Sequence, residues 1–307
     1  MRSGLLHLLL PLFFMLSVLT GPYGIISPLS HGLGSFVLEL RLLRAISAAL
    51  VGMALAASGS GLQALLKNPL ADPYILGVSS GAALGVLAAV AVGLLWPLEV
   101  SLAALAGGLA ALALVMAISS ALGLTNLSLV LVGVAASYAL SSVDMVLMMD
   151  LGPSVQGSLA WLFGTVAYVL WSELVYAAPL MVCGAIWIFL RAGHLESLML
   201  GDDVAESMGV RARRLRAEVA LASALSTSAA VAVAGPVGFV GLVAARLGSG
   251  GAFRRTYPLS LSLGASLTVA ADLASRFVQP GGMAPLTSVT ALMGAPVLVY
   301  LLAKWGR

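Results

Sequence analysis

The 307-residue sequence predicts an all-α, polytopic membrane protein with about ten transmembrane helices. Two observations lead there. Charged residues make up 9% of the chain and apolar residues 61%, with a mean hydropathy of +1.08, whereas soluble domains carry roughly 25% charged residues. Apolar stretches long enough to cross about 30 Å of hydrocarbon also recur along the whole length. Lipid-facing backbone must satisfy its own polar groups, which a helix does within a single segment.

Apolar runs between charged or Gly/Pro-rich breaks place the first five spans near 5–20, 45–65, 75–95, 100–121 and 127–148. After a polar stretch around Asp150 to Gly164, five more lie near 174–191, 215–234, 237–248, 257–276 and 286–303. The first span follows Arg2 like the core of a secretory signal, but no A-x-A-like site precedes Gly21, so it is read as a helix. In SGSGLQALLKNPLADPYILGVSSGAALG (58–85) small residues let helices approach, and Asn68-Pro69 with Asp72-Pro73 stop a helix. That reads as helix, tight loop at the membrane surface, helix. No linker, soluble-domain-sized polar stretch or repeat interrupts the chain, so 1–307 is one transmembrane domain.

The stretch 237–248 is too short to cross upright. Arg211, Arg213, Arg214 and Arg216 precede span 215–234, and Arg254 with Arg255 follow the short stretch. Both groups prefer the cytoplasm, so the chain must return between them. With the amino terminus inside, 12 basic residues fall on the cytoplasmic side, including Arg2, Lys67, Arg191, Arg246, Lys304 and Arg307, against Arg41, Arg44 and Arg276 outside. Both termini are then cytoplasmic. The three external arginines need a reason.

Catalytic and metal chemistry find little support. Cys183 is the one cysteine, which excludes an intrachain disulfide framework and a zinc cluster. There is no P-loop, and His7, His31 and His194 form no H-E-x-x-H. Gly77, Ser79 and Gly81 fit G-x-S-x-G, but that motif needs a strand-to-helix turn, and helix packing explains glycine and serine here.

Two further features stand out. In LMLGDDVAESMGVRARRLR (198–216), Asp203 and Glu206 have capping-box spacing and Gly209 suits a C-terminal cap. They specify a short helix, whose Val204, Ala205 and Met208 either dock into a partner's groove or belong to a solvated loop. Asp144 and Asp272 lie within or near the ends of spans, where an acid is expensive and a functional site is the default. For Asp272 a local i,i+4 pair with Arg276 is the plain explanation; Asp144 sits beside Met145, Met148 and Met149 on a helix that could face a pore.

The residues resemble the permease subunits of ABC importers for iron siderophores, haem and cobalamin, the FecCD-like group. The likeness covers most of the chain and is carried by RLLRAISAALVGMALAASGSGLQALLKNPLADPYILGVSSGAALG (41–85), LMLGDDVAESMGV (198–210), AVAGPVGFVGLV (232–243), ADLASRF (271–277) and VTALMGAPVLVYLL (289–302). It departs after Val243, where Ala244, Ala245 and Arg246 stand with about three residues fewer than the group and without its Pro-His. It also departs at Leu43, where proline is usual, and at Thr287, where glycine is usual.

The resemblance implies a type II importer permease fold and a homodimer with the pathway on its two-fold axis. It further implies two cytoplasmic ATPase subunits using ATP and Mg, an external substrate-binding protein and a place in the cell's inner membrane. This chain itself would be no enzyme and would bind no cofactor or nucleic acid. Coupling to the ATPase falls to a segment at about 198–214, with Asp202, Asp203, Val204, Ala205, Glu206, Ser207, Met208, Gly209, Val210 and Arg211 at the interface. Arg41, Arg44 and Arg276 match arginines that grip acidic residues of the binding protein. The pathway would be lined by 127–148, with Asp144, Met145 and Met148 on it and a gate at Thr125 and Asn126. Rival readings are an intramembrane serine hydrolase using Ser79 or Ser80 with His194, and an ion-coupled transporter that titrates Asp144 or Asp272.

Overall fold

The computed structural model describes residues 6–21, 24, 33–152, 161–278 and 284–305. Arg2 and Arg307, and the side chain of Lys304, on which part of the orientation argument rests, lie outside the described residues. Twelve α-helices and one short 3-10 helix account for the described chain, and no strand occurs among the described residues. In chain order they are α1 (Leu9–Leu19), α2 (Leu33–Leu66), the 3-10 turn Pro73–Leu76, α3 (Val78–Ala91), α4 (Pro97–Ala121) and α5 (Asn126–Leu151). There follow α6 (Trp171–Leu190), α7 (Ala192–Leu200), α8 (Asp202–Ser207), α9 (Ala212–Ala234), α10 (Val240–Gly248), α11 (Phe253–Val278) and α12 (Leu286–Trp305).

Six helices, α2, α4, α5, α6, α9 and α11, are long and apolar enough to cross a membrane alone, and α1, α3 and α12 are shorter apolar helices. With α10 they occupy the ten stretches expected from sequence. The centre is built from α2 and α9, whose most apolar windows are 72% and 78% buried, while α5 is buried over only 22% of its window and lies at the edge. Along α5 that leaves Leu127, Leu131, Tyr138, Met145 and Met149 exposed.

Close approach at the centre depends on glycine. A Cβ on Gly52 of α2 would strike the Gly264 backbone of α11, and one on Gly264 would strike Gly52. Gly81 and Gly85 of α3 meet Gly107 of α4 in the same reciprocal way. These are the small-residue contacts by which helices associate in lipid, where there is no hydrophobic drive between them.

The loop after α2 differs from the sequence expectation. It does not stay at the surface but dips inward: Pro73 packs on Gly241 at the level of Leu55, 11 residues before the end of α2 and so about 16 Å inside it. A second irregular stretch, Gly235–Phe239, lies against it. Tyr74 fastens the two, its hydroxyl donating to the Val237 carbonyl at 3.1 Å and accepting from the Val237 amide at 2.8 Å. Gln63 donates from Nε2 to the carbonyls of Ala71 and Leu242 at 3.3 and 3.2 Å. The short tenth element is thereby explained. Nine helical residues rise about 13 Å, and the five residues before them add at most about 17 Å, so helix and irregular chain together make the return.

Glycine at the central crossing is testable. Gly264→Val should lower stability by at least about 1–3 kcal/mol through overpacking, whereas Gly193→Ala on α7, where a Cβ meets nothing within 4 Å, should be neutral or stabilising. Thermal unfolding in detergent measures both, and equal losses would show that the crossing tolerates a side chain.

Candidate functional site

The chain's basic residues gather at the ends of the bundle. At one, the basic end, α7 and α8 are separated by Gly201 at φ 144°, and Gly209 at φ 81° ends the turn after α8. Asp202 and Asp203 occupy the first turn of α8, where the helix dipole favours acids. Ala205 and Val210 are buried in a core cluster with Leu195, Leu198 and Leu215. The expectation of a three-residue apolar face is therefore corrected: Ala205 packs within the chain, leaving Val204 and Met208, 41% and 62% exposed, on the outer surface. Asp203, Glu206, Ser207, Gly209 and Arg211 are exposed beside them.

An ion-pair network roots this segment. Asp202 accepts from Lys67 Nζ, just past the end of α2, at 3.0 Å, and from Arg216 Nη2 on α9. The Arg216 bond is the largest influence on the Asp202 carboxyl and, joined by the Lys67 bond, holds it below the usual carboxylate range against the opposing effect of burial. Arg216 is buried and its Nε donates to Asn126 Oδ1 at 2.7 Å. Nearby, Glu218 takes Arg191 at 2.6 Å and Arg214 at 2.8 Å. Asn126 is the first residue of α5, and Thr125 caps that helix: its Oγ1 accepts from the Ser128 amide at 3.1 Å while Ser128 Oγ accepts from the Thr125 amide at 2.9 Å. Thus the segment expected to couple to an ATPase and the turn expected to gate the pathway are joined through one guanidinium.

At the opposite end the expected outward arginines are turned inward. Asp272 accepts from Arg44 on α2, with Nη2 at 2.6 Å and Nε at 2.7 Å, and from Arg276 Nη2 at 2.6 Å. Arg276 Nη1 also donates to the Ser17 carbonyl at 2.7 Å and Nη2 to Ser17 Oγ at 2.8 Å. Arg41 donates to the carbonyls of Leu19 at 3.0 Å and Gly24 at 3.3 Å. Arg41 is 7% exposed and Arg276 5%. A guanidinium reaching for a partner would stand in solvent; these tie the end of α1 to α2 and α11. The i,i+4 pair of Asp272 with Arg276 is present, and Arg44, 228 residues from Asp272, completes it.

On α5 the structure separates residues that sequence grouped. Met145 and Met149 face outward and Met148 is half-buried, whereas Asp144 is turned into the bundle, with its Oδ1 lacking a hydrogen-bond partner among the described residues. The G-x-S-x-G match is a helix start: Gly77, at φ 76°, joins the 3-10 turn to α3, and Ser80 Oγ donates to the Gly77 carbonyl at 3.2 Å. Among the described residues no group of three or more His, Cys, Asp or Glu could hold a metal ion.

Comparison with known proteins agrees with this architecture. Residues 5–304 match the FecCD transport family. The chain is 37% identical to the cobalamin import system permease BtuC of Halobacterium salinarum, over 86% of this chain and 72% of that one. It is 35% identical to the Fe(3+)-citrate import system permease YfmD of Bacillus subtilis, over 87% and 82%. A solved structure of a metal-chelate type ABC transporter in an inward-facing conformation superposes with a TM-score of 0.90 at 29% identity, covering 99% of each chain.

Two outcomes follow from the networks. Arg276→Met leaves Asp272 and Ser17 short of a buried partner and should cost about 3–5 kcal/mol, against about 0–1 kcal/mol for the exposed Arg213→Met; thermal unfolding compares them. Because the folded carboxyl of Asp202 is depressed, its contribution is present above the ordinary carboxyl value of about 3.9 and is lost as pH falls through the lower folded value. Pepsin cleavage within 201–211 should therefore rise steeply only as pH drops below about 4. In Asp202→Asn it should already be high throughout pepsin's working range.

Proposed function

The chain belongs to the FecCD transport family, and from that premise we propose that it passes an intact metal chelate from an external binding protein to the cytoplasm. It is an integral membrane permease of an ABC importer, and ATP hydrolysis lies in separate subunits. The observation that carries the proposal is the superposition, over 99% of both chains, on a metal-chelate type ABC transporter. Within that class the cargo is a ferric siderophore, haem or cobalamin; relatives named for cobalamin and for ferric citrate both support a bulky chelate.

The working unit we propose is a homodimer in the cell's inner membrane, both termini cytoplasmic, with two ATPase subunits that use ATP and Mg. The basic end then faces the cytoplasm, in keeping with the preference of arginine for that side. The ATPase docks on 202–211, with exposed Val204 and Met208 as its apolar anchors. The binding protein docks at the opposite end. There Arg41, Arg44 and Arg276 act by fixing the rim formed by α1, α2 and α11, because their hydrogen bonds are spent on that rim. The sparsely covered face of α5, with Met145 and Met148, borders the pathway, and Thr125 with Asn126 stands at its cytoplasmic mouth. ATP-driven movement of α8 alternates access between the two sides.

In proteoliposomes holding the permease with its ATPase, uptake of labelled chelate should require both ATP and the loaded binding protein. Inactivating the ATPase should abolish it. Uptake driven by an ion gradient without ATP would favour the ion-coupled reading and sink this one.

A further inference from the structure

We propose that Arg216 is the positioning residue that carries movement of the ATPase-contacting segment to the mouth of the pathway, an inference that rests on the importer reading above. Its side chain joins two elements with different tasks. Through Nη2 it holds Asp202, the first residue of α8, and through Nε it holds Asn126, the first residue of α5. Asp202 has a second tie to Lys67, at 3.0 Å, so α8 cannot shift without dragging a carboxylate fixed from two sides. The end of α5 is equally defined: the reciprocal bonds of Thr125 and Ser128 lock its first turn, and Ser119 Oγ on α4 donates to the Ser128 carbonyl at 3.3 Å. A pull on Asn126 therefore moves a turn, not a loose side chain.

The chemistry of the linker matters. A guanidinium is planar, and its N–H groups have fixed mutual directions, so fastening two acceptors to it fixes the acceptors relative to each other. An ammonium on a flexible stem keeps the charge but holds no such angle. Arg216 is 8% exposed, so the guanidinium itself is largely shielded from water. The other cations of the same helix end are differently engaged: Arg214 is bound to Glu218 within α9, and Arg213 reaches only the Ser120 carbonyl at 3.5 Å. Arg216 is thus the α9 side chain placed to join α8 to α5, whose outer face is the least covered of the long helices.

The test separates this link from a merely structural one and from the coupling assignment itself. In the full transporter, with Cys183→Ser as background, spin labels are placed at Ser207→Cys on α8 and Leu127→Cys on α5, both exposed in the chain alone, and the labelled parent is first shown to keep its ATP hydrolysis and uptake. In the parent protein both labels should respond to ATP. In Arg216→Lys, which retains the charge, the α8 label should still respond while the α5 response is lost. Chelate transported per ATP hydrolysed should fall about tenfold, within the usual range of coupling between sites. Full response of both labels and an unchanged ratio in Arg216→Lys would overturn the proposal. An α8 label silent to ATP in the parent protein would instead overturn the assignment of 202–211 to the ATPase interface.

Discussion

Buried polar groups in this chain have no water to turn to, and the arrangement of the bundle follows from how two interrupted crossings meet that demand. The stretch after α2 and the stretch before α10 both run as irregular backbone inside the protein. Such backbone survives at membrane depth only where protein surrounds it and supplies its partners. Here side chains of the first stretch and of α2 supply them. Tyr74 gives one hydroxyl to both polar groups of Val237, and Gln63 gives one amide to Ala71 and Leu242. Glycine at 241 admits Pro73, and Phe239 adopts a left-handed φ of 67° to start α10 against Gly294. A helix long enough to cross would have needed none of these residues; the broken form needs all of them.

Much of this could be read from the residues in order. Ten apolar stretches, the small residues of 58–85 that include Gly81 and Gly85, the short helix after Gly201 and the pairing of Asp272 with Arg276 all leave local marks, at spacings of one to a few residues. What escaped reading was what depends on distance in the chain. Nothing near Arg44 announces Asp272, and nothing near Asn126 announces Arg216, 90 residues on. The three arginines look like outward handles because they break the orientation preference, but the same preference cannot distinguish a cation exposed to solvent from one neutralised inside. The Asn68-Pro69-Leu70-Ala71-Asp72-Pro73 stretch shows that a helix stops; it carries no sign of how deep the chain then travels.

The two ends of the bundle use charge differently. Around Asp272 one carboxylate serves two arginines, of which Arg276 is also bonded to Ser17 on α1, a closed cluster with almost no exposure. Around Asp202 the network is open: the acid is partly solvated, its two partners come from the end of α2 and from α9, and apolar side chains beside it point outward. A closed cluster resists displacement because any move strands a charge in low dielectric. In the open one the carboxylate side is wet while the guanidinium of Arg216 stays buried. This contrast suits a permease whose moving contact lies at the basic end.

Helix α2 runs 34 residues without interruption, from the arginine cluster at one end to Lys67 at the other. Its stiffness has a mechanical consequence. The helix holds no proline, so to the extent that its Ser58-Gly59-Ser60-Gly61 stretch stays straight, a push on Lys67 would be taken up as a tilt about its glycine-lined crossing with α11. A tilt of about 5° over the roughly 35 Å between Lys67 and Arg44 displaces one tip by about 3 Å relative to the other, as much as a hydrogen bond is long. Because the Arg44 end is held in the closed cluster with Asp272, such a step would fall at the Lys67 end, beside Asp202.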